Sequence, residues 1–170
     1  GWHCRYAMEN GAESVIGIDL SERMLAKAQE INNLEGIQYE RKALEDVDYP
    51  AEKFDIILSS LTLHYVESFD TIAQHIYNWL SPGGSFVFSV EHPVFTAEGG
   101  QDWVYDKNGE KTCWPVDRYF LEGKRNTTFL GENVIKYHRT LTSYLNTLLK
   151  HGFKIKEVIE PEPGQEMLKE

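Results

Sequence analysis

The chain is poor in cysteine, short of positive charge and without a long hydrophobic run. Its 170 residues include 2 cysteines, Cys4 and Cys113. Two cysteines make no disulfide framework, and their scarcity fits a reducing, cytoplasmic compartment. Lysine and arginine together number 17 against 27 acids, giving a formal net charge of -10 and a sequence pI near 5.1. A surface of that sign repels phosphate backbones and anionic headgroups, so nucleic acid and membranes are not expected as partners. The longest mostly apolar stretch, residues 54–66, is broken by Ser59, Ser60 and His64 and is too short to span a bilayer. No signal peptide, internal repeat, low-complexity tract or linker is visible. The histidines and cysteines lack C-x-x-C or H-E-x-x-H spacing, so no metal site is expected. His3 and Cys4 are adjacent, and neighbours on a helix point apart. Asn126-Thr127-Thr128 matches a glycosylation acceptor and is read as a loop.

What is present fits one globular domain with one sizeable core: 41% hydrophobic and 12% aromatic residues. Strand and helix patterns alternate, the mark of a parallel α/β sheet. Residues 2–10 read as a helix ending near Gly11, and residues 15–18 as a buried strand with Asp19 at its C-terminal end. Ser21 can cap the next helix, with Glu22 in its first turn and Met24, Leu25, Ala28 and Ile31 on its apolar face. A strand is expected at 37–41 and a central one at 54–58, where the apolar run is continuous around one acid. Residues 69–80 form a helix with Ile72, Ala73, Ile76 and Leu80 on one side. Ser81-Pro82-Gly83-Gly84 makes a sharp turn into a strand at 85–90. From His92 to Lys136 no long helical period appears, and Asp106-Lys107-Asn108-Gly109 reads as a hairpin turn. That stretch is too long for a plain connection. A helix follows over 140–151, with Leu141, Tyr144, Leu145 and Leu148 on one side and Gly152 as its cap. Residues 153–159 read as a further strand, and 161–170 as a loop.

Four segments resemble the class I S-adenosylmethionine-dependent methyltransferases. They are Gly1-Trp2-His3, like the end of that family's D-x-G-x-G-x-G loop; Val15-Ile16-Gly17-Ile18-Asp19-Leu20-Ser21 with Met24 and Ala28; Phe54-Asp55-Ile56-Ile57-Leu58-Ser59-Ser60 with Leu63-His64-Tyr65-Val66; and Leu80-Ser81-Pro82-Gly83-Gly84 with Phe86-Val87-Phe88. His138-Arg139-Thr140, Gly152-Phe153 and Glu160-Pro161 resemble the small-molecule branch. Each segment is weak alone; their order and spacing are not. The resemblance implies a three-layer Rossmann-like α/β sandwich with a mostly parallel sheet, and one methyltransferase domain over residues 1–170. It also implies that this chain lacks the family's first strand and most of its glycine loop, so that alone it binds cofactor weakly.

An acid at the end of the second family strand can accept hydrogen bonds from both ribose hydroxyls, and nucleotide-binding α/β folds place it about 20 residues beyond the glycine loop. Asp19 fits that interval from Gly1. The resemblance makes Gly1, Asp19, Leu20, Met24, Ala43, Leu44, Ser59 and Ser60 the cofactor-binding residues for S-adenosyl-L-methionine. Lys42 stands where the family commonly has an acid near adenine. Serine at the strand end also argues against the Asn/Asp-Pro-Pro-aromatic motif of amino-directed nucleic-acid methyltransferases.

Methyl transfer needs the acceptor placed near the methyl and water kept out, with a base only when the acceptor loses a proton. The insertion 93–137, after the fifth family strand, is expected to cover a small-molecule acceptor. Its aromatics, among them Trp103, Tyr105, Trp114, Tyr119, Phe120 and Phe129, either line that pocket or form the insertion's own core. His92 and His138 are either candidate bases, since histidine titrates near neutral pH, or hydrogen-bonding residues that shape the rim; His64, Tyr65, Trp103 and Tyr119 are substrate-side candidates. His75 and His151 are read as surface residues. Two other readings compete: a non-catalytic module that keeps the fold without binding cofactor, and a nicotinamide oxidoreductase, disfavoured because no Tyr-x-x-x-Lys pair is present.

Overall fold

Parallel pairing starts where the apolar runs predict it. In a computed structural model, which describes residues 1–129, 131–162 and 164, the chain divides into two units, Gly1–Lys53 and Phe54–Glu170. The first holds helix α1 (Trp2–Glu9), strand β1 (Val15–Asp19), helix α2 (Glu22–Ile31) and strand β2 (Ile37–Arg41). β1 and β2 are parallel, with Val15 opposite Ile37 and Asp19 opposite Arg41. Ser21 caps α2 by accepting from Met24 N–H at 3.3 Å. Of the apolar face expected on α2, Ala28 is buried, while Met24 and Ile31 stay exposed.

The second unit carries strand β3 (Phe54–Ser60), helix α3 (Phe69–Trp79), strand β4 (Leu80–Ser89) and helix α4 (Pro93–Ala97). Strands β5 (Val104–Tyr105), β6 (Lys111–Cys113), β7 (Gly123–Phe129) and β8 (Glu132–His138) follow, then helix α5 (Leu141–Lys150). β3 and β4 are parallel; β5–β6 and β7–β8 are antiparallel pairs. The core gathers around α3, where Phe69, Ile72, Ala73, Ile76 and Trp79 are buried, with Leu63, Val66, Tyr144 and Leu148. The phase of Ile72, Ala73 and Ile76 is the helical one read from the sequence.

Several expectations need correction. β3 is not buried on both sides: Ile56 and Leu58 are exposed, and among the described strands β3 hydrogen-bonds to β4 alone. The Ser81-Pro82-Gly83-Gly84 turn lies inside β4 as a bulge, with register jumping from Phe54–Leu80 to Ile56–Ser85. Gly83 has φ 84°, and a Cβ on Gly84 would meet Ser81 O at 2.9 Å and Asp55 O at 3.0 Å. Residues 153–159 form no strand. Phe153 packs on Tyr77 and Phe86, and the exposed Val158 and Ile159 have no hydrogen-bonded neighbour strand. His75 and His151 are half-buried rather than on the surface, and His151 pairs with Asp70 at 3.1 Å. The expected loop at 161–170 falls mostly outside the described residues.

Candidate functional site

The C-terminal ends of parallel strands are where α/β sheets bind ligands, and each unit has such an end. In the first, β1 delivers Asp19 to the surface. Its Oδ1 accepts from Ser21 N–H at 2.8 Å, so the carboxylate is turned toward the start of α2. Leu20 and Met24 beside it are exposed at 63% and 59%. Apolar side chains left open around one acid suit an apolar ring system attached to a diol. Gly1 caps α1, and a Cβ there would lie 2.7 Å from Ala28 Cβ and 3.0 Å from its Cα. Glycine is what lets the start of α1 close onto α2, as the last glycine of a nucleotide loop does. Ala43 caps the short 3-10 turn Leu44–Asp46, and both Ala43 and Leu44 are half-buried. Lys42 reaches back to Glu40 at 2.7 Å and lies over the Tyr49 ring.

In the second unit Ser59 and Ser60 pair with Phe88 and Ser89 at the strand ends. The chain then reverses at Leu61, which holds φ 51° and donates its N–H to Ser89 O at 3.0 Å. A branched residue in the left-handed region is strained, and such strain gathers at functional sites.

The histidine candidates turn out to be occupied. His138 is fully buried. Tyr119 O can only accept, so His138 Nε2–H donates to it at 2.8 Å and Nδ1 accepts from the Thr96 hydroxyl at 2.8 Å. Burial lowers its pKa further below the ordinary value. With both nitrogens used, His138 has no atom left to take a proton from an acceptor. His92 caps α4, Nδ1 accepting from Val94 N–H at 3.1 Å, and its Nε2 pairs with Glu160 at 2.6 Å. Tyr119 is likewise a tie: its hydroxyl accepts from Leu141 N–H at 3.3 Å. Trp103 stands edge-on to Trp114, which stacks on Phe95, so these aromatics make the insertion's own cluster.

His64 and Tyr65 do meet a polar cluster, one built from residues that sequence reading passed over. Glu91, just beyond β4, donates its backbone N–H to His64 Nδ1 at 3.3 Å. Lys136, on β8 and 1% exposed, gives its ammonium to Glu91 Oε1 at 2.6 Å, Glu91 Oε2 at 2.8 Å and Gln101 Oε1 at 3.0 Å. The rings of Tyr65, Phe95 and Phe129 surround that ammonium. Burial pushes the His64 pKa down to about 4; the Glu91 charge opposes this, and the Lys136 and Arg139 charges add to it. Arg139 ties the turn after β3 in place, donating to Val66 O at 2.5 Å and Glu67 O at 2.7 Å. The signal for Glu91 was its place directly before His92. Lys136 gave no signal, since an alternating hairpin strand reads as half solvated. Among the described residues no three His, Cys, Asp or Glu side chains gather as a metal ion would require.

These features define a Rossmann-like α/β cofactor-binding protein. A methyltransferase domain model matches residues 1–88, and the chain belongs to that family, whose cofactor is S-adenosylmethionine. It is similar to a Listeria monocytogenes protein assigned as an S-adenosylmethionine-dependent methyltransferase: 56% identity, TM-score 0.94, over 99% of this chain and 79% of that one. An S-adenosylmethionine-dependent methyltransferase of Mesorhizobium loti is similar at 45% identity and TM-score 0.88, over 99% of this chain and 77% of that one. An uncharacterized protein of Haemophilus influenzae is 34% identical over 95% of this chain and 66% of its own length. Less similar relatives act on different acceptors. One is a malonyl-[acyl-carrier protein] O-methyltransferase of Enterobacter lignolyticus (32% identity; 58% of this chain, 38% of that protein). Another is a tRNA U34 carboxymethyltransferase of Cellvibrio japonicus (27% identity; 94% and 44%). The chain thus spans at most about two thirds of these curated relatives. No described helix is long and apolar enough to cross a membrane.

Proposed function

We propose that the protein transfers a methyl group from S-adenosylmethionine to a small-molecule acceptor. The observation that carries this reading is the exposed Asp19 carboxylate at the end of β1, flanked by open Leu20 and Met24. A carboxylate there accepts from two ribose hydroxyls, and the neighbouring apolar side chains cover the adenosine. Gly1, Ala43 and Leu44 complete the first unit's share of the contacts. When bound, S-adenosylmethionine supplies a methyl group made electrophilic by its sulfonium. The protein's own work is to orient the acceptor and exclude water. In the second unit the insertion 93–137 contributes a roof of strands and stacked aromatics to the acceptor side, with His64 and Tyr65 beneath it. The small-molecule class is supported by the insertion's aromatics packing on one another and by the formal charge of -10, which opposes a nucleic-acid backbone. Calorimetric titration with S-adenosylhomocysteine tests the reading: micromolar binding by the intact protein is expected, and absence of binding overturns it in favour of a non-catalytic module.

A further inference from the structure

We propose that Glu91 is the residue that takes the acceptor's proton during methyl transfer, with Lys136 as the positioning residue that fixes its carboxylate. This rests on the methyltransferase reading and adds to it the identity of the base.

Glu91 lies beyond the C-terminal end of β4, at the level where parallel strands present ligands. Two segments far apart in sequence meet it, the turn after β3 through His64 and β8 through Lys136, and Gln101, ahead of β5, shares the Lys136 ammonium. Gln101 holds φ 50° to reach this position, and its Oε1 also accepts from the Thr127 hydroxyl at 2.9 Å. The ammonium has three hydrogens and three acceptors, so it is fully used. A carboxylate has room for about four hydrogen bonds, and Lys136 fills one position on each oxygen. Of the pair, Glu91 is the member that meets solvent, at 18% exposure against 2% for the lysine side chain. The network therefore hands one reactive group to the outside. A pair serving packing alone would be replaced at little cost by apolar residues.

His64 completes the arrangement. Its Nδ1 accepts from Glu91 N–H, which leaves the proton on Nε2, 3.9 Å from Glu91 Oε1. It braces the carboxylate as a neutral ring and adds no second charge. His92 and His138 are committed elsewhere, whereas the Glu91 carboxylate keeps an exposed edge.

The step balances simply. A lone pair on the acceptor atom forms the bond to the methyl carbon as the carbon–sulfur bond breaks, and sulfur keeps that electron pair. The acceptor's proton passes to Glu91 and from there to water. The acceptor class is one that carries a proton on the methylated atom, such as a hydroxyl, an amine or an activated carbon.

The test uses the intact protein, tritiated-methyl S-adenosylmethionine and a deproteinised pool of small metabolites as acceptor, with S-adenosylhomocysteine binding measured alongside. Glu91→Gln is expected to lower methyl transfer by about 100-fold or more, with S-adenosylhomocysteine affinity changed less than about two-fold, the scatter of a group outside the cofactor contacts. Lys136→Gln is expected to lower transfer by about ten-fold with S-adenosylhomocysteine affinity held, and Lys136→Arg, which keeps a cation on the carboxylate, is expected to restore it to within about three-fold, a rescue that loss of packing alone would not give. If Glu91→Gln does not fold, Glu91→Asp keeps the ion pair while drawing the carboxylate back, and transfer falls by about ten-fold. Transfer by Glu91→Gln within about three-fold of wild type overturns the proposal, since a general base contributes far more. Wild-type protein that binds S-adenosylhomocysteine yet transfers nothing to the pool overturns the proton-taking role along with the small-molecule acceptor. Wild-type protein that binds no S-adenosylhomocysteine overturns the methyltransferase reading itself.

Discussion

The two strand ends are built in opposite ways. At the end of β1 an acid and two large apolar side chains stand open, and among the described residues the carboxylate's tie is a turn contact from Ser21. At the end of β4 an acid is enclosed by a buried lysine and a buried histidine, and both candidate histidines nearby have their nitrogens taken. The second is satisfied by the protein and exposes one edge of a carboxylate. An open end suits a cofactor that brings its own hydroxyls and rings. An enclosed, preorganised end suits the chemistry done on an acceptor.

The contrast can be broken by substitution. The largest effect is expected at the enclosed end. Lys136→Met leaves Glu91 without its cation and lowers stability by about 3 kcal/mol, whereas the double variant with Glu91→Gln recovers most of the loss. Urea unfolding of the two variants checks this; equal losses in both would mean that the ion pair does not govern the enclosure. A comparable effect follows from acid. His64 has a folded pKa of about 4 against an ordinary 6.5, so the unfolded chain binds the extra proton first as pH falls. Stability is full above pH 6.5 and declines toward pH 4, by up to about 3 kcal/mol from this group. Thermal unfolding from pH 7 to pH 4 should show the slope, and His64→Gln should flatten it.

At the open end the effects are on binding. Asp19→Ala is expected to weaken S-adenosylhomocysteine about 100-fold, the worth of two hydrogen bonds to a charged group. Its stability changes by about 1 kcal/mol or less, because only the turn contact with Ser21 is lost. Gly1→Ala forces a methyl into Ala28 and is expected to cost about 1–2 kcal/mol as overpacking, measured by thermal shift. The smallest effect sharpens the boundary of β3. Leu61→Gly removes left-handed strain at an exposed site and is expected to leave stability unchanged or raise it by about 1 kcal/mol.

Much of the first unit was legible because its signals are local. Ser21 caps, Ala28 packs, and Asp19 ends a strand within a few residues of one another. The open end of β1 could be read for the same reason. The strand order in the second unit was partly legible: Phe54-Asp55-Ile56-Ile57-Leu58 announced β3, and Asp106 to Gly109 announced the small hairpin. What escaped was non-local. A strand at 153–159 failed because apolar alternation gives no partner. The hydrogen bonds of His138 to Thr96 and Tyr119 leave no trace in the sequence. Lys136 was invisible because its partners lie in three other segments. Pairings of long sequence separation leave little trace in a single chain, and the enclosed end is made entirely of them.

If the end of β1 holds the cofactor and the end of β4 works on the acceptor, one titration separates the two. S-adenosylhomocysteine binding is measured calorimetrically for wild type, Asp19→Ala and Glu91→Gln of the intact protein. The account predicts affinity lost by about 100-fold at Asp19 and held within about two-fold at Glu91. Equal affinity for wild type and Asp19→Ala, or a loss confined to Glu91→Gln, would contradict it.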